Sequence, residues 1–596
     1  MNILGISCFY HDSSAALFQD GELVAAASEE RFTRKKHDSD FPSRAVEYCL
    51  KEAGIAPAKL DYVGYYERPF VKFERILKTY IATWPYSYRS FSKAIPLWLK
   101  EKLWIPRIIR RELGAEQKVL FVEHHLAHAA SAFLLSPFAE SAILTFDGVG
   151  EWSTATRGVG HGCNIEIADE IRFPHSLGLL YTAFTYYLGF TVNDAEYKVM
   201  GLAPYGEPKY VGLIRDNLIE IRADGSFRLN LDHFGYIAGL RMTNERFHSL
   251  FGMLPREPES KLEQAHKDIA RSLQVVTEEV MLKSAIALRQ RTGARNLCMA
   301  GGVALNCVAN GRILREAGYD DLFVQPAAGD GGGAVGVAAY IHATLLKQGR
   351  PRPLADVFLG PQYSADEIAA ALQAEGGECV SATRLEREAL IAATVDAIEA
   401  GRVVGWFQGR MEFGPRALGS RSILADPRDP ANRDIVNLKI KFRESFRPFA
   451  PVVLEENLSD WFDLDRETPY MLLVADVHAA KRVIPAVTHV DGSARIQSIR
   501  RQQNPLYYDV VAEFGRRTGV PVLINTSFNV RSEPIVCTPA DAVRCFLRTG
   551  MDDLIIGPYH VVKTPQAPEP KAPEARAALD RAGRERRSAL AAVNGG

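Results

Sequence analysis

The chain opens with apolar and polar residues alternating at a period of two. Asn2 to Phe9, Ser14 to Phe18 and Glu22 to Ala27 read as strands, and the Asp20-Gly21 dipeptide is a tight-hairpin signal. The same phrase returns far downstream. Ser141 to Phe146 is apolar and strand-like, Asp147-Gly148 follows, and Trp152 to Arg157 reads as the return strand. Strand, polar loop, strand therefore occurs twice, around Tyr10-His11-Asp12-Ser13-Ser14 and around Asp147-Gly148-Val149-Gly150-Glu151. This predicts a duplicated domain whose two loops face each other across a cleft.

Between and after the copies the period becomes helical, at Ser43 to Ala53, His124 to Leu135 and the long stretch Lys261 to Thr292. Strand, glycine turn and helix then recur. Asn296 to Ala300 leads through Gly301-Gly302 into Val303 to Ala317, and Asp321 to Gln325 leads through Ala327 to Gly333 into a helix reaching Tyr340. That succession predicts an α/β fold. Lys347 to Pro353 is punctuated by Gly and Pro, which places a boundary near residue 350. The expected division is a first domain over 1–350, a second over 351–563 and a mobile tail over 564–596. The second carries helices at Ala365 to Glu375 and Glu386 to Ala400 and strands at Val403 to Phe407 and Val520 to Asn525.

Composition narrows the function classes. Of 596 residues, 47% are apolar and 24% charged, which excludes a disordered chain, a collagen and a simple coiled coil. Lys plus Arg is 71 against 72 for Asp plus Glu, so a protein that coats nucleic acid is not expected. No apolar run approaches the ~18 residues of a membrane span. The N-terminus reads as a strand rather than a signal peptide, and none of the eight cysteines forms a C-x-x-C pair. A reduced, cytoplasmic protein without a membrane partner is the expectation.

The densest chemistry lies at Glu123-His124-His125-Leu126-Ala127-His128. On a helix, His124 and His128 share a face and can point at one ion. The zinc-protease pattern H-E-x-x-H fails, because His occupies position 125. Metal binding and a hydrogen-bonded helix N-terminus both remain open from spacing alone. Asp147 and Asp330 each end a strand–loop, where a turn or N-cap role is the plain alternative. Joined to the histidines they would make a His/His/Asp/Asp set suited to iron(II), manganese or zinc. Gly331 to Gly336 satisfies G-x-G-x-x-G, but a lone mid-chain match is weak. Close backbone approach at a helix N-terminus is the better-supported use of these glycines.

Nine cations, from Arg410 to Arg447, fall within 38 residues beside five acids and are interrupted by Phe413, Phe442, Phe446 and Phe449. A solvated face is the ordinary reading of such a run. The interleaved apolar residues favour a walled site for a small, multiply charged anion. Asn525 to Arg531 follows a strand, a usual ligand-binding edge, and could equally be a capped turn. The aromatic-rich stretch Phe70 to Trp104 reads as packing, with a share in an acceptor pocket as the alternative.

Seven motifs in one order carry a resemblance over residues 1 to about 563. They are Gly5-Ile6-Ser7 through Ala16, Glu29 to His37 with Phe41-Pro42, His124 to Ala130, Tyr197 to Ala203, Gly301 to Asn306, Phe413 to Gly419 and Asn525 to Asn529. The chain resembles the ATP-dependent O-carbamoyltransferases that decorate antibiotics and nodulation factors. It departs from them at Ser532, where that family usually has Gly before Glu533-Pro534-Ile535. The resemblance implies an α/β fold with a duplicated actin/hexokinase-like N-terminal domain and a YrdC-like C-terminal domain.

It also implies two steps. Carbamoyl phosphate and ATP, with magnesium, give carbamoyl-adenylate and pyrophosphate in the second domain. The carbamoyl group then passes to a small-molecule hydroxyl in the first, releasing AMP. Carried over by motif, His124, His128, Asp147 and Asp330 hold iron(II) or another divalent metal. His11, with Asp12 beside it, is the candidate base. Arg416, Lys441, Arg447, Arg495, Asn525 and Arg531, with Gly301, Gly302 and Asn306, are the candidate ligand-binding residues. Rival readings are a kinase or ATPase on the same fold, which would give ADP, and a nucleotide-binding regulator without catalysis. Carbamoylation of a protein thiol is disfavoured by the missing C-x-x-C zinc pattern. The acceptor is not specified, and a homodimer is one reading of the assembly.

Overall fold

A computed structural model describes residues 1–100, 102–114, 116–444 and 446–569. The expected tail lies outside the described residues from position 570 onward. The chain divides into two compact units. Among the described residues, one holds Met1–Thr33 and His37–Leu354, and the other holds Arg34–Lys36 and 355–569.

The first unit is built on two five-stranded sheets. In one, β1 (Asn2–Ser7) pairs antiparallel with β2 (Ser14–Gln19), which pairs antiparallel with β3 (Glu22–Ser28). On its other side β1 runs parallel to β4 (Tyr62–Tyr65), and β4 parallel to β5 (Lys118–Phe121). The second sheet repeats this plan with β6 (Glu140–Phe146), β7 (Ser153–His161), β8 (Asn164–Arg172), β9 (Asn296–Ala300) and β10 (Asp321–Val324). Here β6, β7 and β8 form the antiparallel meander, and β6, β9 and β10 run parallel. The identical order and direction make this a duplicated actin/hexokinase-like fold.

Helices fill the space between the sheets. The helix His124–Phe133 is buried along nearly its whole length, as is Gly333–Tyr340. The sequence Gly-Ala-Val-Gly-Val-Ala-Ala of the latter lets it lie unusually close to its neighbours. A Cβ at Gly336 would sit 1.9 Å from the carbonyl oxygen of Ala127, and one at Gly5 on β1 would sit 1.9 Å from that of Ala334. The G-x-G-x-x-G match is therefore used at Gly336 for helix packing. A group of three helices, Pro69–Ala82, Tyr88–Lys100 and Ile105–Leu113, is inserted between β4 and β5. The long helix Gln264–Thr292 starts on a reciprocal Glu263/His266 cap and ends at Gly293 in left-handed conformation.

One element differs from the sequence reading. The helix expected from Val303 is split into a short turn, Gly302–Leu305, and a helix, Cys307–Glu316. Asn306 breaks it, because its side chain accepts from the Ala309 N–H and so caps the second piece. The Gly/Pro-punctuated segment around Arg350 is strapped to its own unit. Its guanidinium donates to the carbonyls of Phe133, Ser136 and Gly162 and lies over the Phe133 ring.

The second unit is a mixed α/β layer around an eight-stranded sheet. In chain order its strands are β11 (Val380–Arg384), β12 (Val404–Phe407), β13 (Arg421–Ala425), β14 (Ala450–Leu454), β15 (Gln497–Ile499), β16 (Val522–Ser527), β17 (Asp553–Ile556) and β18 (Tyr559–Lys563). Across the sheet they lie in the order β11-β18-β17-β12-β13-β16-β14-β15. The central strands β12 and β13 are buried at every position, including Arg421 and Ser422 at the start of β13.

Because Gly336 faces a backbone carbonyl, Gly336→Ala is expected to overpack the interface by about 1–3 kcal/mol. Chemical denaturation should show a lower midpoint at unchanged slope, and an unchanged midpoint would show that the helices can separate at no cost.

Candidate functional site

Four residues distant in sequence meet at the centre of the first unit. His124 and His128 lie on successive turns of the buried helix His124–Phe133. Asp147 follows β6, and Asp330 opens the turn before Gly333–Tyr340. One ligand atom from each falls within 4.8 Å of all the others, and all four residues are buried. His124 Nε2 is 3.1 Å from His128 Nε2 and 3.2 Å from Asp147 Oδ2. Asp330 Oδ1 lies 3.5 Å from His128 Nε2 and 3.6 Å from His124 Nε2.

These residues fit a divalent cation. Two donors about 2.1 Å from one ion and at right angles lie about 3.0 Å apart, close to the spacings found. Asp330 is the strongest indication. Its carboxylate is fully buried, yet neither oxygen has a hydrogen-bond partner among the described residues. A buried carboxylate in that state is costly unless a positive charge offsets it. Without a cation, the histidines serve that end. Burial opposes protonation of His124, but Asp330 and Asp147 outweigh it and push its pKa up to about 9. Asp147 is held well below the usual carboxylate range: its burial is outweighed by the His124 hydrogen bond and the neighbouring imidazoles.

The surroundings fix the donors. Glu151 accepts from the backbone N–H of His124 and from that of Arg68, so its carboxylate tethers the start of the helix. The Tyr66 ring packs 5.3 Å from that of His124. Gly302 N–H donates to Asp147 Oδ1 at 2.9 Å. That bond needs Gly301, which has φ +94° and passes so near the end of β6 that a Cβ would lie 2.1 Å from the Phe146 carbonyl. Asn306, besides capping its helix, exchanges two hydrogen bonds with Gln274. The third histidine, His125, bonds Thr145 Oγ1, and its pKa is pushed down to about 3 by burial and by its histidine neighbours.

Beside this cluster stands a chain of imidazoles and carboxylates. His11 Nδ1 lies 2.8 Å from Asp12 Oδ2, and His11 Nε2 is 3.7 Å from Asp330 Oδ2. Asp12 Oδ1 is 3.0 Å from His37 Nδ1, and His37 Nε2 is 3.0 Å from Asp194 Oδ1. With Nδ1 turned to Asp12, His11 Nε2 faces the His124, His128, Asp147 and Asp330 cluster. Burial counts against a charged His11, but Asp12 and Asp330 raise its pKa to about 9.

The cationic candidates lie in the second unit. Lys441 is buried and its Nζ reaches Ser527 O and Oγ and Asn529 O and Oδ1. Burial, with Arg443 and Arg447 nearby, drives its pKa well below that of a free lysine. Arg531 donates its backbone N–H to the Lys441 carbonyl, and Arg447 and Arg531 both flank Glu444, at 3.7 and 3.8 Å. The structure thus brings Lys441, Arg447 and Arg531 together. Arg416 and Arg495 are half-buried. Asn525 is buried and ties Ala417 O to Gln497 Oε1, which makes it a brace between strand and loop.

Arg421, one of the nine cations read as an anion site, has a structural task. It is fully buried, donates to the carbonyls of Gln408, Gly409, Ser420 and Pro361, and stacks 3.7 Å from the Phe407 ring centre. Glu412 accepts the N–H groups of Leu418, Ser420 and Arg421 and so folds the Phe413 to Gly419 loop about one carboxylate. Sequence reasoning missed Glu151, Tyr66, Glu412 and Asp194. His37 stands in a motif noted for the resemblance, but nothing local connects it to Asp12.

Comparisons with known proteins identify the family. A family model described as "Carbamoyltransferase N-terminus" matches residues 2–339, and one described as "Carbamoyltransferase C-terminus" matches residues 395–563. An uncharacterized protein of Synechocystis is 52% identical over 95% of this chain and 97% of its own. Nodulation protein NolNO of Sinorhizobium fredii is 41% identical over 94% of this chain and 80% of its own. The 3'-hydroxymethylcephem-O-carbamoyltransferase of Amycolatopsis lactamdurans is 36% identical over 46% of this chain and 50% of its own.

The departure at Ser532 has a conformational reading. Ser532 takes φ +65°, the left-handed region that glycine enters freely. The serine carries the strain of that turn. Ser532→Gly is therefore expected to raise stability by up to about 1 kcal/mol. A lower melting temperature in that variant would mean that the serine side chain contributes more than the strain costs.

Proposed function

Given that the chain belongs to the carbamoyltransferase family, we propose that it is an ATP-dependent O-carbamoyltransferase working through a carbamoyl-adenylate. The observation that carries the reading is the buried His124, His128, Asp147 and Asp330 cluster with His11 Nε2 directed at it. It provides a place for a cation and a base within reach of each other.

In the first half-reaction, carbamoyl phosphate gives its phosphoryl group to water, leaving carbamate and inorganic phosphate. A carbamate oxygen then attacks the α-phosphorus of ATP, pyrophosphate leaves, and carbamoyl-adenylate forms. Both substrates are polyanions, and Lys441, Arg447 and Arg531 supply preorganised positive charge for them, with Arg416 and Arg495 as further candidates. Arg421 keeps the loop in shape and is not assigned to substrate.

In the second half-reaction, an acceptor hydroxyl oxygen attacks the carbamoyl carbon, the bond to the adenylate oxygen breaks, and AMP leaves. His11 Nε2, deprotonated once a bound cation would offset Asp330, takes the hydroxyl proton, while Asp12 holds the ring through Nδ1. A divalent cation, iron(II) in our reading, would be held by His124, His128, Asp147 and Asp330 and would supply Lewis acidity to a phosphate oxygen of the adenylate. Gly302 and Glu151 hold Asp147 and His124 in place. The hydroxyl acceptor class is supported by the name of the cephem relative, and a small natural product or sugar is the acceptor we favour.

Two experiments test this. Protein incubated with magnesium, ATP and carbamoyl phosphate should release pyrophosphate only when carbamoyl phosphate is present, and Lys441→Ala should abolish that release. Formation of ADP instead would favour a kinase or ATPase. Binding of both substrates without turnover, with or without a panel of hydroxyl acceptors, would favour a regulator. Separately, calorimetric titration with iron(II), manganese or zinc should show one tight site per chain. Asp330→Asn should weaken it by about 10–100-fold while far-ultraviolet circular dichroism stays unchanged. Equal metal affinity in wild type and variant would remove the metal assignment.

A further inference from the structure

The three-helix insertion between β4 and β5 differs from the rest of the molecule in surface chemistry. Pro69 to Leu113 contains ten basic and three acidic residues, a net charge of +7 in a chain whose total is -1. The same 45 residues carry nine of the fourteen large apolar side chains that are exposed among the described residues. Five are aromatic: Phe70 is 69% exposed, Trp84 59%, Tyr86 86%, Tyr88 59% and Trp104 54%.

This is not an unpacked region. Ile76, Tyr80, Ala94 and Trp98 form its own small core, with Phe73, Phe91, Ile95 and Leu103 packed against it. Arg75 lies over the Phe173 ring, and Ser90 donates to the Ala238 carbonyl, which anchors the insertion to its own unit. The inward face is thus satisfied. Outward-facing aromatic residues remain, with Lys78, Arg89, Lys93, Lys100, Arg107 and Arg110 exposed on the same helices.

We propose that this insertion docks on an anionic lipid surface, with the exposed aromatic rings entering the headgroup layer and the basic residues pairing with lipid phosphates. Aromatic side chains with a polar edge favour the membrane–water interface. Helices that present Lys and Arg beside Trp, Phe and Leu lie in its plane. Charge decides between this occupant and a second copy of the chain. A twofold contact would set one strongly basic face against another, and lysines are depleted at the centre of such contacts. An anionic bilayer complements every one of these charges. No helix among the described residues is long and apolar enough to cross a membrane, so the association is peripheral. The expectation of no membrane partner rests on the absence of a spanning segment and does not weigh a surface contact.

The test is flotation of the full chain with vesicles of phosphatidylcholine alone and of phosphatidylcholine with about 30% phosphatidylglycerol. Binding to the anionic vesicles is expected, at least about tenfold above neutral ones and weakened by raising the salt from about 0.1 to 0.5 M. Trp84→Ser with Tyr86→Ser, and separately Lys93→Glu with Arg107→Glu, should each lower partitioning about tenfold, because both the aromatic and the cationic contributions are required. All four positions are exposed, so melting temperatures should not change. Absence of binding to either vesicle overturns the proposal, as does binding that neither pair of substitutions affects. A wild-type dimer that the Trp84→Ser, Tyr86→Ser variant converts to monomer in sedimentation would also overturn it and would assign the face to a second copy.

Discussion

Everything at the centre of the first unit depends on how closely two buried helices approach. One carries His124 and His128, and the other begins just after Asp330. Imidazole and carboxylate donors can share an ion only if they lie about 3 Å apart. Side chains of that length require their backbones to be nearly in van der Waals contact. Gly336 permits this against Ala127, and Gly5 permits the same helix to press on β1. Larger residues at these positions would move Asp330 away from the histidines without changing any residue of the cluster. Glycines far from the chemistry thus set the geometry on which the chemistry relies.

Such closeness concentrates charge. Asp147 and Asp330 are both buried, and each raises the cost of ionising the other. The fold holds the pair by local means. Asp147 takes a backbone N–H from Gly302, and the helix N-terminus that bears His124 is tethered by Glu151. The second unit meets a similar difficulty with the opposite sign. There two buried cations meet different surroundings: Arg421 is saturated by carbonyls, while Lys441 is held by Ser527 and Asn529 with Arg443 and Arg447 nearby.

How much of this can be read from the sequence follows from how local each determinant is. The repeated strand–loop–strand phrase is visible because it lies within a few residues, and it correctly announces the two matching sheets. The i, i+4 spacing of His124 and His128 is a property of one helix, and Asp147 and Asp330 stand out because each ends a short strand–loop. Determinants that act across the fold leave little trace. Asn306 breaks an apparently continuous helical pattern through one side-chain bond. Glu151 looks like any loop acid, although it is placed to hold two distant N–H groups. His37 and Asp194 extend the His11–Asp12 pair only after the chain has folded, and Arg421 cannot be told from its neighbours by charge alone. The left-handed turn at Ser532 shows the converse, since the residue type there does not announce the conformation it adopts.

The two sheets of the first unit end in equivalent loops of six residues each, positions 8–13 after β1 and positions 147–152 after β6. Matching positions have therefore diverged in trade. One loop bears the hydrogen-bonded pair His11 and Asp12, and the other bears Asp147 and Glu151, which hold His124 and the start of its helix. Duplication made such a division of labour available, because each copy can vary while the other keeps its share. Tyr10 and Ser13 flank His11 and Asp12 on one loop, and Gly148 to Gly150 lie between Asp147 and Glu151 on the other. Within a single scaffold, two copies of one loop thus carry different sets of titratable groups to the same centre.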